Sequence, residues 1–266
     1  MLTLETNIER AKQPQRSLPN VVTSFNEDGF ERYGKRFLET WLEYWPRSIR
    51  LTVYYEGENF PFTSGVSWIP IEQVEFLTDF MECLRFPIMH GIVGDHYDIN
   101  FDARMARKTF IECHATQHYG GKVFWLDADT VTHAHVAEDF LDCMLPDDKL
   151  CCYLGRDGWC YTESGFIGFN KRHPGCMRFL KNYRNIFLCG AIFTQPGWHD
   201  CYGFDAMRMV AKQNGFGGEF VNLAAGVPHG CMHPAANIPE LAQYFQHMKG
   251  DRKDTGQLRE GDLVMP

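Results

Sequence analysis

The stretch "VFWLDADTVTH" (residues 123–133) decides the reading of this chain. Val123, Phe124, Trp125 and Leu126 form an apolar run, and Asp127 and Asp129 follow it one residue apart. Such a run is a buried strand, and in α/β sheets ligands gather where strands end at their carboxyl edge. Residues i and i+2 of an extended chain point the same way, so both carboxylates face one point. Three readings are open. The pair holds a hard cation such as Mn²⁺ or Mg²⁺, which favours oxygen ligands; it works as an acid/base pair; or Asp129 or Thr130 caps a helix beginning near residue 136 while Asp127 sits in a turn. The apolar lead-in favours the metal.

Outward from this strand, strand-like and helix-like segments alternate, which indicates an α/β domain. "NVVTSF" (20–25) is a first strand. "FERYGKRFLETWLEYW" (30–45) carries apolar residues at helical spacing and is stopped by Pro46. "SIRLTVYYEG" (48–57), rich in β-branched and aromatic residues, completes a βαβ unit. Residues 58–70, with Pro61, Gly65 and Pro70, look like a loop; a helix follows over about 71–86, an irregular glycine-containing segment after it, and a second helix over about 103–119. No repeat or linker divides the chain. We expect an N-terminal arm over 1–19, one domain over 20–256 with a mixed central sheet and helices on both faces, and a tail over 257–266.

Composition narrows the class. The chain has 266 residues, of which 44% are hydrophobic and 14% aromatic, enough to build a substantial core. No apolar run is long enough to span a bilayer, and the polar opening segment has no signal-like stretch, so the expectation is a soluble, cytoplasmic protein with no obligate protein partner. Its ten cysteines are scattered and include no C-x-x-C pair, which reads as reduced thiols. "PHGCMHP" (228–234) lacks the second cluster a zinc site needs. A net charge of −8 argues against a uniformly basic, polyanion-coating surface but allows local basic patches.

A short "YGGK" turn joins the 103–119 helix to the 123–126 strand, so the helix must begin at the strand's far end, beside the aspartates. Arg104, Arg107 and Lys108 there share a face. Cations at a helix N-terminus oppose its dipole and are out of place unless they meet an anion; the alternative is a solvated basic face. An acid pair able to hold a metal, beside a basic cluster, suits a nucleotide diphosphate. Near the C-terminus, "FQHMKGDRK" (245–253) places His247, Gly250 and Lys253 in the order H-x-x-G-x-x-K.

Together with D-x-D at 127–129, this motif resembles the metal-dependent nucleotide-sugar glycosyltransferases of the GT-A fold, in particular the glycogenin and bacterial galactosyltransferase type. A wider likeness to small glycosyltransferase-like proteins of phages spans roughly residues 20–256, through "WLDADT", "ESGF", "WHD" and "HMKGDRK" in that order. That set includes members associated with glycosylation of hydroxymethylated DNA bases. For a phage-encoded chain the compartment is the host cytoplasm. After Lys253 the sequence departs from the first group, with "DTGQLREG" where an aromatic proline-tryptophan segment is frequent.

The resemblance implies that Asp127, Asp129 and His247 hold Mn²⁺ or Mg²⁺, and that Gly250 and Lys253 contact the diphosphate of a nucleotide sugar, expected to be a UDP-hexose. It implies that Thr23, Phe25 and Asn26 contact the nucleoside. "YTESGFIGFN" (161–170) walls the sugar pocket with Glu163, Ser164 and Gly165, and "GWHDCYGFDAMRMV" (197–210) brings Trp198, His199 and Asp200. Asp200 and Glu163 are the candidate catalytic carboxylates, an inverting enzyme needing a base that Asp200 would supply. The motif favours retention, in which the leaving phosphate takes the proton. The bland alternatives are that Glu163 pairs with an arginine and that Asp200 caps its helix.

Two rival functions share these features: a metal-dependent nucleotidyltransferase or phosphohydrolase, and a non-catalytic nucleotide-sugar-binding module. The acceptor is either a saccharide or a hydroxymethylated base in DNA. Arg178, Lys181 and Arg184, with Lys171 and Arg172 before them, form a stripe able to track a DNA backbone or simply a solvated face. Trp159, Tyr161, Trp198 and Tyr202 suit either acceptor, flipped base or stacked sugar.

Overall fold

The computed structural model describes residues 18–58, 61–82, 99–156, 160–231 and 233–258, and only the backbone at 99–104. The arm and the tail expected from the sequence therefore lie almost wholly outside the described residues.

Strand β1 (Asn20–Asn26) leads into a helical segment that begins at Glu27, passes through a π turn at Phe30–Gly34 and continues as α1 (Lys35–Tyr44). The Asn26 side chain accepts from Gly29 N–H at 2.8 Å, satisfying one of the free amides at the helix start. Trp45 is already extended (φ −91°, ψ 140°), as a residue before proline prefers. β2 (Arg50–Glu56) pairs parallel to β1 over its whole length, so the βαβ unit expected from the sequence is present.

The 58–70 segment differs from expectation. Val66–Pro70 is a strand, β3, parallel to β2 at the sheet edge. An edge strand is half-covered and tolerates a terminal proline, so it lacks both the alternation and the apolar run of an inner strand. In place of the continuous helix expected over 71–86, the backbone forms a 3₁₀ turn at Ile71–Gln73 and a helix at 77–82, with the remainder outside the described residues. Helix α2 spans Ile99–His118, beginning earlier than the basic cluster suggested.

β4 (Lys122–Leu126) is central in a seven-stranded mixed sheet of order β3-β2-β1-β4-β7-β6-β8. It runs parallel to β1 and antiparallel to β7 (Glu163–Asn170). β6 (Cys151–Leu154) pairs antiparallel with β7 and parallel with β8 (Phe220–Asn222). The apolar run of β4 has a simple cause, since both of its faces are covered. Val123 and Trp125 face a core closed by α2, by α4 (Cys176–Leu188) and by α5 (Asp200–Ala211). Phe124 and Leu126 face a second core closed by α1 and by α3 (Phe140–Met144). The helix expected near residue 136 is this shorter α3.

Between Leu126 and α3 the chain makes a three-residue strand, β5 (Thr130–Thr132), which pairs antiparallel with β9 (Phe245–His247) from near the C-terminus. Trp45, stacked on Trp41 with ring centres 4.1 Å apart, donates its indole N–H to Thr132 Oγ1 at 2.9 Å and so ties β5 to the end of α1. A short helix α6 (Pro239–Ala242) precedes β9, and α7 (Arg252–Thr255) follows it. Among the described residues, no helix is long and apolar enough to cross a membrane, and the nine described cysteines are free thiols.

Candidate metal and donor site

The carboxyl end of β4 is where the aspartates emerge, and backbone pairing fixes them. Asp127 N–H donates to Gly165 O of β7 at 2.9 Å, and Thr130 N–H donates back to Asp127 O at 3.1 Å, forming a tight turn around Ala128. The β5–β9 register sets His247 opposite Thr130, one residue after Asp129, and Met248 N–H donates to Asp129 O at 2.8 Å. A histidine more than a hundred residues away in sequence is thus brought to the acid pair by main-chain bonds.

The result is a compact group: ligand atoms of Asp127, Asp129 and His247 all lie within 4.8 Å of one another. Among the described residues this is the one such cluster, and the 229–233 stretch forms none. His247 Nε2 is 2.7 Å from Asp129 Oδ1 and 3.3 Å from Asp127 Oδ2, while Nδ1 is 3.3 Å from Glu163 Oε1. Both ring nitrogens face carboxylates, which favours the protonated imidazole. Burial opposes that charge, but Asp129 and Glu163 outweigh it and hold the pKa up at about 9. Burial likewise works against the Asp129 carboxylate, and His247 with Lys253 overcome it and keep its pKa below the usual range. Glu163, buried and paired with His247, falls to about 2.

Gly165 makes this approach possible. A Cβ there would stand 2.7 Å from both Glu163 Oε1 and His247 Nδ1, closer than side-chain carbons are ever found. Its N–H donates to Glu163 Oε1 at 3.2 Å, so the glycine both spaces and holds the carboxylate.

Cations flank the acids on two sides. Lys108, in the middle of α2, is buried; its Nζ lies 3.0 Å from Asp127 Oδ1 and 3.7 Å from Asp200 Oδ2, and it donates to Ser164 O. Burial disfavours its charge, but Asp127 and Asp200 more than compensate and raise the pKa. Trp125 Nε1 donates to Asp127 Oδ1 at 2.6 Å, which leaves Oδ2 toward His247. Lys253 Nζ lies 2.7 Å from Asp129 Oδ2. Its backbone is held by Arg36, which donates to Lys253 O at 2.6 Å, and Arg32 pairs with Asp254 at 2.8 Å.

These groups border a cavity of about 350 Å³ at the carboxyl ends of β1, β2 and β4. Phe25 and Asn26 line it, as do Arg107, Lys108, Asp127, Asp129, Ser164 and Lys253. Arg107 sits at its wall in contact with the Glu56 carboxylate. Contrary to the expectation of a basic cluster at a helix N-terminus, α2 starts at Ile99, so Lys108 lies far from its first turn, and its partner is the Asp127 carboxylate. The Arg104 side chain lies outside the described residues.

Other expected residues fall elsewhere. Thr23 is fully buried in β1, and its neighbour Ser24 lines the cavity. Trp198 is buried in the core against Phe193, and His199 is the N-cap residue of α5, packed on Tyr202. Asp200 is the first residue of α5, 2% exposed, with Lys108 beside it. Gly250 takes a left-handed conformation (φ +57°) in the turn before α7. In the basic stripe, Lys171 donates to Gln117 O at 2.6 Å, and Arg178 and Arg184 lie over the rings of Phe216 and Phe76. Trp159 lies outside the described residues.

Lys249, not among the residues expected from the sequence, places its Nζ 3.0 Å from His247 Nε2 and 3.8 Å from Glu163. Its signal was its position two residues after His247. Glu112, one helical turn beyond Lys108, was likewise not expected: burial pushes this carboxyl well above the usual range, and neither oxygen has a hydrogen-bond partner among the described residues.

No protein-family model matches the chain, and no curated protein matches it. Solved structures do: the chain is similar to the WbbM bifunctional glycosyltransferase in its apo form, at 12% identity and a TM-score of 0.48, over 79% of this chain and 39% of that one. The present chain thus spans well under half the length of that protein.

Proposed function

We propose that the chain is a metal-dependent glycosyltransferase that moves a hexose from a nucleotide diphosphate sugar, with UDP-hexose the expected donor, to an acceptor hydroxyl with retention of configuration. The observation that carries this reading is the convergence of Asp127, Asp129 and His247 within 4.8 Å beside a cavity lined by Lys108, Arg107 and Lys253.

The donor set fits a hard divalent cation. Two carboxylates and one imidazole suit Mn²⁺ or Mg²⁺, and Glu163 on Nδ1 is the outer partner that orients a ligating histidine. A cation held by Asp127, Asp129 and His247 would offset the negative charge that grows on the leaving diphosphate. The chain's own residues do the rest. Lys253 and Arg107 approach the diphosphate from the cavity walls, and Gly250 lets the backbone turn ahead of Lys253. Phe25 and Asn26 flank the nucleoside end. Lys108, held between Asp127 and Asp200, fixes the carboxylate geometry and adds positive potential under the phosphates. With retention, the departing phosphate accepts the acceptor's proton, and neither Glu163 nor Asp200 is required as a base.

The test is a thermal-shift screen of nucleotide sugars with Mn²⁺, followed by product analysis against saccharides and hydroxymethylated DNA. A stabilising nucleotide sugar that yields nucleoside diphosphate and a glycosylated product supports the reading. Release of sugar 1-phosphate would replace it with nucleotidyl transfer or phosphohydrolysis. Donor binding without turnover on any acceptor would leave a binding module, and no stabilisation by any nucleotide sugar would remove the reading.

A further inference from the structure

A second cavity, of about 520 Å³, is lined by Thr162, the residue before Glu163, and by Gly155 and Arg156, which follow Leu154, the strand partner of Glu163. Thr162 lines this cavity, Ser164 lines the donor cavity, and Glu163 between them holds His247.

The walls of this cavity are rich in donors. Arg156, Tyr161, Arg208 and Asn222 contribute, and Asp205 is the acid among the lining residues. Asp205 is consumed internally: Oδ2 accepts from Thr162 N–H at 2.8 Å, and Oδ1 accepts from Thr162 Oγ1 at 2.8 Å and from Arg208 Nε and Nη2 at 3.1 and 2.9 Å. Arg208 is thereby neutralised. Arg156 is not. Its Nη1 donates to Cys160 Sγ at 3.3 Å, its Nε is buried with no hydrogen-bond partner, and among the described residues no carboxylate pairs with it. Asn222 Oδ1 accepts from Gly155 N–H at 2.8 Å and Ala224 N–H at 3.0 Å, which leaves its NH₂ as a donor. Tyr161, packed against Tyr202, gives the wall an aromatic face.

A guanidinium with a buried, unsatisfied N–H and no carboxylate partner among the described residues is suited to an oxyanion, which supplies both the acceptor and the opposite charge. We propose that this cavity is the acceptor subsite and that the acceptor carries a phosphate ester, bound by Arg156 with Asn222 while its hydroxyl reaches toward the metal cluster past Glu163. The role as acceptor subsite rests on the glycosyltransferase reading; the anion site itself does not. Two sources supply this chemistry, a phosphorylated sugar or a nucleic-acid backbone.

The experiment follows arginine side-chain NMR signals of metal-free, ¹⁵N-arginine-labelled full-length protein during titration with orthophosphate, with chloride at equal ionic strength as the control. Arg156→Gln identifies the signal. The expected result is a saturable shift of the Arg156 resonance at millimolar phosphate that persists in Lys253→Ala. No shift up to about 50 mM, or one lost in Lys253→Ala, would overturn the anion site. Glucose 6-phosphate and a short hydroxymethylcytosine oligonucleotide are then compared as acceptors against glucose. The favoured source should exceed glucose by at least ~10-fold in kcat/KM, chiefly through KM, and Arg156→Gln should abolish that preference. Equal use of glucose would overturn the acceptor role and leave the glycosyltransferase reading standing. Orthophosphate binding at Arg156 without turnover of any nucleotide sugar would keep the anion site and remove the reading it was joined to.

Discussion

Because both nitrogens of His247 face carboxylates, a metal ion can reach Nε2 only after a proton leaves. Asp127 and Asp129 are already ionised, their pKa values held low against burial by neighbouring cations, so they release nothing. The imidazole, with a pKa of about 9, is the group that must change. At pH 7 its protonated form outweighs the neutral one by about 100 to 1, which lowers apparent Mn²⁺ affinity by about 2.7 kcal/mol relative to alkaline pH. Mn²⁺ binding at pH 7 should therefore release about one proton, and affinity should rise nearly tenfold per pH unit between 6.5 and 8.5. An ordinary histidine with a pKa of about 6.5 would release only about a quarter of a proton at pH 7. Isothermal titration in buffers of different ionisation enthalpy counts the protons directly. Glu163→Gln removes the carboxylate on Nδ1, so it should reduce the proton count at pH 7 and, where the histidine is already neutral, weaken metal binding by ~10–100-fold. Release of a quarter proton or less by the wild type, with flat affinity across this range, would refute the protonated resting state of His247.

Three further outcomes follow from the same geometry. Gly165→Ala puts a methyl 2.7 Å from Glu163 and His247, and should cost ~1–3 kcal/mol in chemical denaturation and lower Mn²⁺ affinity at least ~10-fold. Asp129→Asn or His247→Ala should lower transfer at least ~100-fold with the circular dichroism spectrum retained, and excess chelator should abolish wild-type turnover; near-normal rates would remove the residue, or the metal, from the site. In the metal-free protein, the raised pKa of His247 gives stability that is full below about 6.5 and lost as pH rises through about 9. Glu163 gives stability present above about 4.5 and lost as pH falls toward 2. Melting temperature in chelator should therefore peak between these limits, and His247→Asn should flatten the alkaline side.

What the sequence made legible were features written in local periodicity. The run at 123–126 was long enough to mark a strand covered on both faces, and the spacing of Phe37, Leu38 and Trp41 marked one face of α1. β3 escaped because an edge strand needs no continuous apolar pattern. β5 and β9 escaped because three residues carry no period, and their pairing joins segments more than a hundred positions apart. The motif resemblance, not the periodicity, singled out His247. Its place opposite Thr130 is a tertiary fact. Trp198 looked like a pocket residue from its company in "GWHD", but a large ring beside Phe193 gains more from burial than from exposure. Thr23 and Ser24 are separated by the alternation of a strand, where a one-residue error exchanges core for cavity.

The arrangement of charges also explains why an acid pair can be buried here before any ligand arrives. Asp129 is 7% exposed and Glu163 is 5% exposed, and carboxylates so placed would be strongly destabilising if unpaired. His247 lies between them, Lys253 covers the outer oxygen of Asp129, and Lys108 covers Asp127. These same cations are the groups a diphosphate would need. With a divalent metal bound there, His247 would give up its proton, the aspartates would be neutralised, and Lys253 would be free to turn toward phosphate oxygens. Lys253 is the more movable of the two lysines, half-exposed at the start of α7 and held through backbone carbonyls by Arg36, whereas Lys108 is locked between two acids in mid-helix. Metal and donor should accordingly bind in a mutually favourable way: each supplies the charge whose absence the other would leave exposed, and donor affinity measured with and without Mn²⁺ should differ by the same factor as Mn²⁺ affinity measured with and without donor. Equal donor affinity in both conditions would show that Lys253 and the aspartates do not exchange partners in this way.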